Sequence, residues 1–191
     1  MARSAGITQE RVVTVAAELA DAHGLAALTL AQVAARLGVK LPSLYNHVDG
    51  LPGLQRELAV LGIRELGTCL RDAAVGKAGD DAVLAVAQAY RAYVLAHPGR
   101  YAATVRAPAP DDAELQALSA WVVGVVVTVL APYELGEAGT IHAVRGLRSI
   151  AHGFATLEQA GGFGLALDRD TSFLRLLRAF LAGLRATGSA P

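Results

Sequence analysis

Cys69 is the only cysteine in the 191 residues, so neither a disulfide framework nor a cysteine-based zinc site can be built. Net charge is missing as well. Seventeen Lys and Arg stand against seventeen Asp and Glu, which removes the broadly basic surface that often drives nucleic-acid binding. Lysine is reduced to Lys40 and Lys77. Together with abundant alanine this is what a GC-rich genome encodes, and it carries no functional message. Met1–Gly6 run into a segment containing Glu10 and Arg11 without the apolar centre of a signal peptide, so a cytoplasmic location is expected. No G-x-S-x-G elbow, P-loop or H-E-x-x-H motif occurs, and Gly162-Phe163-Gly164 lacks the third glycine and preceding strand of a dinucleotide fingerprint. Neither an enzyme nor a cofactor is expected. His142 and His152 would stand about three helical turns apart, too far for one ion, so no metal site is expected. The strongly apolar run from Ala120 to Ala131 is too short for roughly 30 Å of hydrocarbon, which argues against a membrane span.

What is present is apolar material at helical spacing. Hydrophobic residues make up 53% of the chain and mean hydropathy is +0.40, enough to bury a core and to exclude disorder. The expected fold class is all-α with about nine helices, divided into residues 1–54 and 55–191.

The chain is organised around Thr29 to Val48. Thr29 and Gln32 form a T-x-x-Q capping pair, and Leu30, Val33, Ala34 and Leu37 recur on one helical face before Gly38. After a short turn, Pro42 sits in the first turn of a second helix whose buried stripe is Leu44 and Val48. Lys40, Leu41, Pro42, Ser43, Asn46 and His47 then face outward, with Tyr45 at the edge. This pattern predicts a helix-turn-helix. Ser, Asn and His can hydrogen-bond base edges in a major groove, prolyl and leucyl surfaces can touch a thymine methyl, and Lys40 and Tyr45 suit phosphate oxygens. Two short helices joined by a glycine would also serve as part of an ordinary bundle.

The string Gly-Leu-Ala-Ala-Leu-Thr-Leu-Ala-Gln-Val-Ala-Ala-Arg-Leu-Gly-Val-Lys-Leu-Pro-Ser-Leu-Tyr-Asn-His-Val resembles the N-terminal domain of TetR-family transcriptional regulators, over about residues 7 to 60. The resemblance implies base or phosphate contacts for Lys40, Leu41, Pro42, Ser43, Tyr45, Asn46 and His47, with Thr29 matching a phosphate-contacting threonine. It also implies a homodimer, a double-stranded operator and a small-molecule effector that releases the repressor. One position departs from the family. Leu51 stands where many relatives carry a phosphate-gripping lysine, and Arg56 is a candidate to compensate. Residues 1–60 hold five basic and five acidic side chains, so local placement has to substitute for net charge.

Elsewhere, helices are predicted over Thr8–His23, from Pro52 to about Val75, from Asp80 or Asp81 to His97-Pro98, over a short segment within 99–107, over Leu115–Tyr133, from Glu137 to about Ala160, and over Asp170–Ala186. Cys69 reads as a small buried hydrophobe. Leu115–Tyr133 contains no charged side chain and is rich in valine, yet its acidic entry and helical spacing favour a buried helix over a strand. Tyr90, Tyr93, His97 and Tyr101 are close enough in sequence either to converge on a cavity or to be core aromatics with satisfied tips. Trp121, His142, Arg145, Arg148 and His152 complete the candidate effector contacts. Ala-His-Pro-Gly-Arg-Tyr is similar to a connection of TetR-type ligand domains, and His152-Gly153-Phe154 partly resembles the Trp-His-Gly type of C-terminal domain. Its broad apolar face suits the last helix to dimerisation as well as to intramolecular core. A helical ligand-binding or interaction module that has lost DNA binding is the alternative.

Overall fold

The computed structural model describes residues 7–188, so the Met1–Gly6 stretch read above for a signal peptide lies outside the described residues. The fold is all-α, as the periodicity implies. Among the described residues eight α-helices run α1 Gln9–His23, α2 Leu30–Leu37, α3 Gly50–Ala74, α4 Gly79–Ala96, α5 Pro98–Ala103, α6 Ala113–Leu130, α7 Gly136–Gln159 and α8 Arg169–Gly188. A six-residue 3₁₀ helix at Leu41–Asn46 makes the ninth, with short 3₁₀ turns at Leu25–Ala27 and Ala131–Tyr133. Local chemistry accounts for the ends. Thr8 caps α1 by accepting from the Arg11 amide, and Gly24 at φ 87 closes it in a conformation that a side chain would strain.

The chain divides into two compact units. One comprises residues up to Arg64 together with His97–Gln116; the other comprises Glu65–Ala96 and the residues from Ala117 onward. In the first unit, Val12, Val15, Ala16 and Ala20 of α1 form a core with Val33 and Ala34 of α2, Leu44 and Val48, and Leu54 and Leu58 of α3. Helix α5 is fastened to α1 by Asp21, whose Oδ1 accepts from the Gly99 and Arg100 amides, each at 2.9 Å. Asp21 Oδ2 lies 3.0 Å from Arg100 Nε and 3.5 Å from His97 Nδ1. A carboxylate from another helix therefore meets the free N–H groups that open α5.

In the second unit α7 lies along α4, and α8 packs on both. Ala143, Leu147, Ala151 and Ala155 are the buried stripe of α7, and Phe173, Leu177, Leu181 and Leu184 that of α8. Arg91 of α4 joins the three helices. Its Nε and Nη2 donate to the two Glu158 oxygens at 2.7 and 2.9 Å, and its Nη1 donates to Asp170 at 2.7 Å. The Arg91 hydrogen bonds outweigh burial and hold the Glu158 carboxyl below its ordinary value of 4.5. Folding thus weakens proton binding at Glu158, so the pair stabilises above that ordinary value and the contribution is lost as pH falls through the lowered one. In an acid titration of stability, the wild type should lose a step below pH 4.5 that Glu158→Gln, already weakened at neutral pH, does not show.

Two expectations are corrected. Cys69 is exposed, because α3 turns Leu66 and Leu70 inward and leaves position 69 outside; desolvation, Glu65 and Asp72 raise its pKa. Helix α6 is helical but not buried, since only 22% of its most apolar 18-residue window is covered. By length and composition alone it is also the one described helix that could cross a membrane. Val123 and Val127 lie on its exposed side.

Candidate nucleic-acid interface

The helix-turn-helix is built as its residues require. Gln32 N–H donates to Thr29 Oγ1 at 3.3 Å, and Thr29 N–H donates to Gln32 Oε1 at 2.8 Å, which is the reciprocal box expected of T-x-x-Q. Helix α2 ends at Gly38, φ 71 and ψ 30, and the Val39 amide returns to the Ala34 carbonyl at 3.0 Å. The chain then enters the second helix after Lys40.

That second helix is 3₁₀ rather than α over its six residues. Ser43 N–H donates to Lys40 O and His47 N–H to Leu44 O, each at 2.9 Å. So short a segment opening at Leu41-Pro42 gains little from the longer α ladder. At three residues per turn, positions i and i+3 eclipse. Ser43 and Asn46 therefore share one row and Pro42 and Tyr45 the next, while Leu41, Leu44 and His47 share the third. Leu44 is fully buried and Val48 nearly so, which anchors the third row in the core. Lys40, Pro42 and Asn46 are exposed, Tyr45 is 58% and Leu41 39% exposed, and Ser43 and His47 are half-buried. Thr29 is exposed at the start of α2, its hydroxyl engaged in the cap.

Beside this helix lies a polar cleft of about 440 Å³, lined by Tyr45, Asn46, His47, Asp49, Arg56 and Glu57 among others. Arg56 does not offer a free cation there. Its guanidinium donates to Asp112 at 2.7 and 2.8 Å, to Glu57 at 2.8 Å and to Glu114 at 2.9 Å. Asp112 above all raises the Arg56 pKa, and Arg56 in turn depresses that of Asp112. The compensating role expected of Arg56 is therefore not available in this arrangement. Leu51 packs against the N-terminal core.

The candidate effector residues fall in both units. In the first unit, His97 precedes α5 and approaches Asp21, and Tyr101 is buried. In the second, Tyr90 and Tyr93 are buried, and the Tyr93 hydroxyl donates to Glu65 at 3.0 Å. Trp121 is half-buried, its ring lying over Gly67 of α3. His142, Arg145 and Arg148 are exposed on the side of α7 away from its buried stripe, with His152 half-buried. Sequence reasoning missed the Arg91 junction and the Asp21 attachment. A basic or acidic residue on a mostly apolar face was the available signal. Among the described residues no group of three or more His, Cys, Asp or Glu could hold a metal ion.

Comparison with known proteins gives two family matches. Residues 12–47 match the family described as bacterial regulatory proteins, tetR family, and residues 83–180 match the tetracyclin repressor-like, C-terminal domain. Neither match confirms the Trp-His-Gly type. An uncharacterised HTH-type transcriptional regulator of Mycobacterium tuberculosis, Rv0681, is 38% identical over 96% of this chain and 84% of its own. Another, YobS of Bacillus subtilis, is 36% identical over 94% and 93%. Among solved structures, TetR-Q116A of Acinetobacter baumannii in complex with minocycline shares the fold at TM-score 0.74 and 20% identity, covering 97% of this chain and 100% of that one. A Rhodococcus protein of unknown function does so at TM-score 0.80 and 22% identity, covering 96% and 98%.

Proposed function

This chain belongs to the TetR family of bacterial transcriptional regulators, and from that premise we propose that it is a homodimeric repressor released from its operator by a small-molecule effector. Residues 1–54 are the DNA-binding domain in this reading, and residues 55–191 bind effector and dimerise. The role is regulatory rather than catalytic and is exercised on DNA in the cytoplasm. The observation that carries it is the short helix at Leu41–Asn46, anchored through Leu44, with Ser43, Tyr45 and Asn46 outward in rows. Ser43, Asn46 and His47 would read base edges, and Thr29, Lys40 and Tyr45 would fix register on phosphates.

Dimerisation would use α7 and α8, whose outer sides carry Ile141, Leu157 and Leu176 exposed. Two such heads on one scaffold would reach adjacent half-sites with far greater effective affinity than one. Helix α5 follows α4 directly in the chain and is tied to α1 through Asp21, so an effector that shifts α4 has a route to the reading head. Effector and operator then oppose each other by the same coupling free energy.

The test is a mobility shift with the DNA upstream of the chain's own gene, repeated across salt concentrations. With Arg56 engaged, Arg36 and Lys40 are the basic residues that immediately precede the reading helix in the chain. Roughly four neutralised phosphates per dimer give a log–log salt slope of about −3 to −4, shallow for a specific DNA-binding protein. A slope near zero with every fragment would favour the alternative, a helical ligand-binding or interaction protein, which the neutral head and the packed Leu51 support.

A further inference from the structure

The connection between α7 and α8 carries two leucines that the core does not use: Leu165 is 83% exposed and Leu167 74% exposed. Both line a cavity of about 260 Å³ whose other walls include Phe154, Phe163, Arg169 and Ser172. Aromatic packing continues from that wall into the unit. The Phe154 ring lies 4.7 Å from that of Phe163 and 4.9 Å from that of Phe173, centroid to centroid, both tilted. Arg91 stands 5.3 Å from the centroids of Phe154 and Phe173, held there by Glu158 and Asp170. At the rim Arg169 lies 3.6 Å from Glu158, and Asp168 caps α8 by accepting from the Thr171 amide. None of Tyr90, Tyr93, Trp121, His142, Arg145, Arg148 or His152 lines this space.

We propose that this cavity binds a small, uncharged aromatic molecule of one ring or a fused pair. An apolar cavity of about 150 Å³ is enough to hold benzene, so a space of about 260 Å³ admits a ring with a substituent or a second ring. Phe154 and Phe163 offer tilted faces that an aromatic edge or face can meet, which an alkane does not exploit. An ion would have to give up water among Phe154, Phe163, Leu165 and Leu167, with Arg169 already drawn to Glu158. The Ser172 hydroxyl donates to the Asp168 carbonyl, so its oxygen keeps the capacity to accept from an N–H or O–H on the ring. This site deepens the ligand-responsive reading and rests on it for its consequence. Phe154 belongs to α7, Phe173 to α8, and Arg91 to α4, so a ring pressed on Phe154 acts where three helices meet.

The experiment uses the full chain without DNA, so its failure is distinct from a failure to bind an operator. 5-Fluoroindole is titrated and followed by ¹⁹F NMR, with 4-fluorobenzoate as an ionic probe of similar size. Saturable broadening is expected for 5-fluoroindole and none for 4-fluorobenzoate. The double variant Leu165→Ser, Leu167→Ser should bind about ten-fold more weakly at an unchanged melting temperature, because it removes apolar contact from exposed positions only. Gly164→Leu, at a site where an added Cβ meets no atom within 4 Å, should also weaken binding by occupying the space. Binding that does not saturate, or that survives both variants, would overturn the proposal. So would a signal that vanishes with protein concentration as copies associate, which would give the leucines to a second copy instead.

Discussion

Gly99→Ala is expected to destabilise the first unit by about 3 kcal/mol and to lower its melting temperature by about 10 °C. The reason is contact between main chains. A Cβ at Gly99 would collide with the backbone of Ala20 and Asp21, which cannot rotate away as a side chain can. Helix α5 would have to leave α1, and the Gly99 and Arg100 amides would then lose the Asp21 carboxylate. Gly62 of α3 marks the other side of the same close approach, since a Cβ there would lie 2.8 Å from the Arg100 carbonyl oxygen. Gly124→Ala is the control. An added Cβ there meets nothing within 4 Å, so the change should be within about 0.5 kcal/mol or slightly stabilising. Thermal denaturation of the two variants separates a collision from a general intolerance of glycine substitution.

Local signals in the chain are legible where one turn of helix contains all the partners. The Thr29–Gln32 box, Gly38 as the left-handed stop and the inward Leu44 and Val48 need only neighbours within four residues. Helix ends were legible for the same reason. Features that depend on distant partners were not. Arg56 looked like a spare cation because Asp112 and Glu114 are more than fifty residues away. Arg91 gave no sign of its junction, since Glu158 and Asp170 lie on two later helices. Asp21 on α1 has its partners, the Gly99 and Arg100 amides, nearly eighty residues further on.

Helix α6 failed in another way. A stretch without charge carries no polar face to contrast with its apolar one, so its spacing identifies a helix but not which side is covered. Cys69 was misplaced because it sits between Leu66 and Leu70 on α3, where a shift of one position separates core from solvent. The 3₁₀ form of Leu41–Asn46 was likewise invisible, because a buried stripe at i and i+4 is equally compatible with a short α-helix. For the site it matters more than the label suggests. Eclipsed rows put Ser43 beside Asn46, whereas an α-helix would rotate them apart by about 60°.

The second large effect concerns those rows. Replacing Asn46 and His47 by alanine removes two side chains from each head, hence four from a dimer. At about 1–3 kcal/mol for each good base contact, specific affinity should fall about 1,000-fold or more. Stability should be nearly unchanged, because Asn46 is exposed, His47 is half-buried and the core anchors are Leu44 and Val48. Non-specific, salt-dependent binding should persist, since Lys40 and Thr29 remain. A loss of both kinds of binding together would instead point to a damaged fold, which circular dichroism would reveal.

In the dimeric repressor proposed above, two copies set this short helix into successive major grooves of one duplex. A footprint on the upstream DNA, taken with the wild type and with the Asn46→Ala, His47→Ala variant, tests it most directly. Two protected blocks on one face of the duplex, centred about 10 base pairs or a whole multiple of that apart, are predicted for the wild type, and neither for the variant. A single block, or the same two blocks protected equally by the variant, would contradict the account.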